Sequence, residues 1–211
     1  MEGSAARQPT ARLDLADTRQ YRTNIGTLLA GGTMTHRQTL RELAFDTHGV
    51  VTVRDAEAAG VPAVEVRKLA TRGALTRVGH GVYLMNEAPK DGLTEFAIAV
   101  ALAGEDAVLA DDAVLAAHDL AQVNLRRIRV ATGDRVRKRL PPSVELVRLD
   151  VPAEDRDDID GVPAMRLGTA LLASRGRVMT SRLVDAARLA AARGLMDDAE
   201  AQSVIAELEN A

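Results

Sequence analysis

Glycines at 49, 60, 73, 79 and 81 cut the stretch from Thr35 to Met85 into pieces too short for long helices or a broad sheet. Glycine populates left-handed backbone without penalty, so each marks a place where an element can stop and turn. Thr35 has the chemistry to cap a helix running to about Asp46, with Leu40, Leu43, Ala44 and Phe45 as its inner stripe. Val50-Val51 reads as extended. Thr52 and Asp55 have the spacing of a capping box, and Gly60 ends the short helix they open. Pro62 starts a third helix, where its missing N–H costs nothing, and Gly73 closes that helix after Arg72. Ala74–Val78 and Val82–Met85 flank Gly79-His80-Gly81 as a hairpin.

Helix, helix, tight turn, helix, hairpin is the order of a winged helix-turn-helix, whose third helix enters the DNA major groove. The wheel of that helix fits the role. Val66, Leu69 and Ala70 share an apolar face, while Val64, Arg67, Lys68 and Thr71 share the opposite one. Arg67 and Lys68 can reach guanine edges or phosphates, and Val64 or Thr71 a thymine methyl. Arg72 on the flank suits phosphate, and Arg77 and His80 in the wing suit backbone or minor groove. Two adjacent cations on a short helix are also ordinary solvated surface, and winged modules also bind proteins. The full order of elements favours DNA.

Beyond this segment, composition bounds the fold. Of 211 residues, 46% are hydrophobic and only 2% aromatic, namely Tyr21, Phe45, Tyr83 and Phe96. The core must be Leu, Val and Ala, and the scarcity of rings argues against a single-strand platform of stacked aromatics. With no Cys, disulfide scaffolds, Cys-based zinc sites and thiol catalysis are excluded too. No apolar run approaches the ~18 residues of a membrane span, and Met1–Thr10 lacks the apolar run of a signal peptide. A cytoplasmic protein is expected.

Charge is uneven along the chain. Lys+Arg against Asp+Glu is four to three over 1–33, seven to five over 34–85 and sixteen to twenty-two over 86–211. A basic front and an acidic back suggest modules with different partners. The expected organisation is an arm and helix over 1–33, a winged helix-turn-helix over 34–88, and a mixed α/β domain ending in helices over 89–211. Met34 is an alternative start. In the last part the patterning gives helices near 94–103, 110–121, 164–175, 179–193 and 197–209. It gives strands near 127–131 and 144–151, and an acidic loop over 154–160. The fold class is α+β, mostly helical.

A second cationic constellation comprises Arg126, Arg127, Arg129, Arg135, Arg137, Lys138 and Arg139. It is either a contact for a partner, DNA phosphate or a protein surface, or a solvated strand edge balanced by the acids that follow. No phosphate-loop, metalloprotease, nucleophile-elbow or kinase signature is present. His118 with Asp111-Asp112 is too sparse for a metal site, and "VELVRLD" (144–150) has no following Lys for a nuclease-type site. No enzyme, metal or cofactor is expected.

The runs "VTVRDAEAAGV" (51–61) and "VRKLATRGALTRVGHGVYLM" (66–85) resemble the N-terminal domain of AbiEi-family antitoxins. "GVPAMRLGTALLAS" (161–174) and "SRLVDAARLAAARGLMDDAE" (181–200) resemble the helical C-terminal part more loosely. The resemblance implies an antitoxin that represses its own operon and counteracts a nucleotidyltransferase-fold toxin, by contact or by promoting the toxin's modification, with a homodimer on operator DNA. His80 departs from the Arg expected at the wing tip, which makes that contact weaker or pH-sensitive. The N-terminal 33 residues exceed the family's usual start. Two alternatives stay open: a stand-alone winged-helix regulator with a ligand-sensing or dimerising C-terminal domain, and a DNA-processing enzyme.

Overall fold

The computed structural model describes residues 34–210, so the expected arm and helix over 1–33 lie outside the described residues. Helix α1 (His36–Phe45) buries Leu40 and Ala44. Phe45, expected on the inner stripe, is instead exposed, with the Arg41 guanidinium 5.7 Å from its ring centre. Leu40 and Ala44 are one helical turn apart and define the buried face, and Phe45 follows about 100° further round.

Strand β1 (Val50–Thr52) leads into α2 (Val53–Ala58), whose N-cap is Thr52. Asp55 N–H donates to Thr52 Oγ1 at 3.0 Å, and the hydroxyl donates back to Asp55 Oδ2 at 2.8 Å. Pro62 is the N-cap of α3 (Ala63–Thr71) rather than its first residue, and Gly73 follows the C-cap Arg72 at φ 77°. Strands β2 (Leu75–Gly79) and β3 (Val82–Met85) form the hairpin, with a bulge between Arg77 and Gly79. The pair Val50-Val51, read from sequence only as an extended piece, joins this hairpin as a third strand, in the order β1-β3-β2.

A second, five-stranded sheet follows α4 (Thr94–Ala103). Its strands are β4 (Val108–Leu109), β5 (Ile128–Thr132), β6 (Val144–Arg148), β7 (Arg156–Ile159) and β8 (Val162–Met165), in the order β6-β5-β4-β8-β7. Helix α5 (Asp112–Ala117) is shorter than the 110–121 expected, because Asp111 before it and Asp119, Ala121 and Gln122 after it hold positive φ, which a helix cannot continue through. The acidic 154–160 loop is not a loop. A 3-10 turn at Ala153–Asp155 leads into β7, which pairs with β8 around Asp160-Gly161. Both turn residues have positive φ, 49° and 95°, as a two-residue hairpin turn requires. Helices α6 (Leu167–Ala173), α7 (Thr180–Ala192) and α8 (Asp198–Glu209) complete the α+β fold. Ala186, Ala187 and Ala190 of α7 are buried, as small side chains in a close helix contact should be, whereas Ala192 is exposed. Among the described residues no helix is long and apolar enough to cross a membrane.

Three apolar clusters hold these parts. One lies under α1–α3 and the hairpin (Leu40, Val51, Val66, Met85), and a large one lies between the second sheet and its helices. The third joins them: Val50, Val82 and Leu84 of the first sheet meet Leu102 of α4.

Candidate nucleic-acid interface

Helix α3 is positioned from both ends. Val66 is fully buried against the first cluster, and Leu69 and Ala70 pack beside it. At the C-terminal end Asn86 bridges helix and hairpin: its Nδ2 donates to Gly73 O at 2.8 Å, and its Oδ1 accepts from Thr76 Oγ1 at 2.7 Å. Nothing in the periodicity of the sequence singles out Asn86.

With Val66 turned inward, Val64, Arg67, Lys68 and Thr71 are all exposed. Their availability differs. Lys68 Nζ donates to Glu65 Oε1 at 2.7 Å and holds that carboxyl below its usual range. Thr71 Oγ1 donates to Arg67 O at 3.1 Å, so its hydroxyl is engaged within the helix. Arg67 makes no ion pair with a carboxylate of the described residues and is the most available cation of the face. Arg72 and His80 are exposed, and Arg77 Nε donates to Gly79 O at 3.2 Å along the wing.

The hairpin is not free on its other side. A Cβ built on Gly79 would collide with Leu102 Cδ2, so the hairpin is docked on α4 as closely as a bare backbone permits. His48, in the connection from α1 to β1, ties that connection to the loop before α4 and to the turn between β7 and β8. Its Nδ1 lies 2.7 Å from Asp91 Oδ2 and its Nε2 2.8 Å from Asp160 O. Burial works against the imidazolium, but the two hydrogen bonds outweigh it and raise the pKa of His48. Both partners are acceptors, so the doubly protonated ring is the form that satisfies both.

The second cationic constellation divides. Arg129 leaves it: on β5 it faces Glu145 across the parallel pair, binds that carboxylate, and places Nε 2.8 Å from Asp111 Oδ2. Its side chain is only 14% exposed. Asp111 sits between β4 and α5 at φ 51°, and burial raises its carboxyl above the usual range against the pull of Arg129. Its neighbour Asp112 accepts from Arg177 Nε at 3.3 Å. Arg126, Arg127, Arg135, Arg137 and Arg139 are exposed and Lys138 is half-buried, and none is ion-paired within the described residues. His118 ends α5 half-buried, its pKa lowered by burial. Among the described residues no group of side chains could hold a metal ion.

The geometry is that of a short helix with an exposed cationic face seated beside a hairpin. Residues 38–86, from within α1 to just past β3, match the family model described as "Transcriptional regulator, AbiEi antitoxin". The segment is thus similar to AbiEi antitoxin regulators, and the match stops short of the second sheet. No curated protein matches the chain.

Proposed function

We propose that this chain is an AbiEi-type antitoxin and autoregulator: α1 to β3 form a winged helix-turn-helix that binds operator DNA, and residues beyond it counteract a nucleotidyltransferase-like toxin. The observation that carries the DNA half is α3 itself, with Val66 buried and Val64, Arg67, Lys68 and Thr71 exposed together on the other face. In this reading Arg67 reads a guanine edge or binds phosphate, Lys68 exchanges Glu65 for phosphate, and Val64 and the Thr71 methyl contact thymine. Arg72, Arg77 and His80 hold the backbone on either side. The toxin half rests on the family match over 38–86. No group in this scheme is asked to do covalent chemistry.

Replacing Arg67 by Ala should weaken binding to the chain's own promoter by about 1–3 kcal/mol if it reads a base. Lys68→Ala should cost less, because Glu65 already competes for it. Both variants should melt as the parent does. Fluorescence anisotropy with a promoter duplex checks this, and unchanged affinity in Arg67→Ala would remove α3 from the interface. Co-expression with a neighbouring nucleotidyltransferase-fold protein tests the other half: growth must be restored by the antitoxin, and by Arg67→Ala equally.

A further inference from the structure

The connection from β5 to β6 has a regularity of its own. Arg135, Arg137 and Arg139 are exposed, while Val136, Lys138 and Leu140 between them are half-buried. Alternation of period two is the signature of an extended chain, in which alternate side chains point the same way. The chain bends at Lys138, so it is extended only over Arg135–Arg137, and the three arginines form a short exposed row that follows the bend. The inward residues fix the row in place. Leu140 packs on the cluster of Val50, Val82, Leu84 and Leu102, the same cluster on which Val78 of the wing rests. Pro141 and Pro142 then restrict the chain that returns to β6.

We infer that Arg135, Arg137 and Arg139 are a second DNA-backbone contact, which continues the interface from the wing onto the edge of the second sheet. This rests on the reading of α1–β3 as a duplex-binding module, and of the two partners that the sequence leaves open for these residues, a toxin surface and DNA, it assigns DNA. Three observations favour DNA over a protein partner. The row shares its apolar anchor with the wing. Its cations lack carboxylate partners among the described residues, Asp134 being the one acid within 126–139. It also lacks the aromatic and apolar core that protein interfaces carry, whereas a wet, arginine-rich strip is what phosphate contacts use. Arg126 and Arg127, exposed just before β5, add to the same positive charge.

The test compares the parent, Arg135→Gln/Arg137→Gln/Arg139→Gln, Leu140→Ala and Arg67→Ala on promoter and random-sequence duplexes over a NaCl series. If the row binds phosphates, the slope of log K against log [salt] falls by about 0.9 for each phosphate that the variant no longer neutralises. The triple variant should therefore flatten the slope by about 2–3 on both duplexes. Leu140→Ala, with every charge kept, should also lower affinity, because the row is no longer held beside the wing. Arg67→Ala should lower affinity mainly on the promoter. A triple variant with parental slope, beside an impaired Arg67→Ala, overturns the row and spares the α3 reading. The reverse pattern removes α3 and keeps the row. Failure of toxin rescue with DNA binding intact assigns the row to a protein partner and overturns the proposal. A parent that binds neither duplex overturns both.

Discussion

Arg129 shows how little a residue's type says about its availability. In the sequence it is one of seven cations within fourteen residues. In the fold it is the only one of them placed on a strand with Glu145 opposite and Asp111 at hand. A buried carboxylate left without its cation is costly, so Arg129→Met should destabilise the protein by on the order of 3–5 kcal/mol at neutral pH. Removing the partner raises the already raised Asp111 pKa further, so the variant should regain stability as pH falls and that carboxyl protonates. Urea unfolding at pH 7.5 and 5.5 measures both. A variant as stable as its parent at pH 7.5 would mean that the pair contributes nothing. Glu145, sixteen residues from Arg129, cannot be matched to it until the strand register is known.

Elements with a strong local pattern are legible in the sequence: α3 with its two faces, the Gly79-His80-Gly81 hairpin, and helix 94–103. The β7–β8 hairpin is not. Asp160-Gly161 is a strong turn signal, but the strand before it, Arg156–Ile159, is three charges and one isoleucine, a composition that reads as solvated loop. It forms a strand because β8 pairs with β4 and offers β7 its free edge. That same turn receives His48, from the connection between α1 and β1. A raised histidine pKa contributes stability that is full below the ordinary value of 6.5 and is lost as pH rises through the folded value. His118 has the opposite sign: its lowered pKa gives stability above 6.5 that is lost on acidification. His48→Asn tolerates the positive φ at that position while giving up one of the two hydrogen bonds. Melting curves from pH 5.5 to 8.5 should show the variant losing less stability with rising pH than the parent. Parallel profiles, or an NMR titration placing His48 below 6.5, would contradict the imidazolium clip.

Across the whole molecule the apolar cluster around Leu102 decides how the parts work together. Tertiary packing of this kind has no signature in local periodicity: helix 94–103 is apolar on every face after Glu95, and only the fold shows that Leu102 faces the hairpin while Ala99 and Val100 face the second sheet. Gly79→Ala adds one methyl where a buried leucine already stands, an overpacking that should cost about 1–3 kcal/mol. Leu102→Ala removes that obstacle, so the double variant should be more stable than the sum of the single changes predicts. Additive effects in a denaturant double-mutant cycle would show that wing and α4 do not touch. Grafting is constrained by the same packing. A wing transplanted onto another C-terminal half, or one half exchanged between relatives, meets a foreign side chain where Leu102 fits against bare glycine. The exchangeable piece in a chimera therefore ends after α4 and not at the close of the hairpin, and any insertion that lengthens 86–92 must still return Leu102 to that glycine.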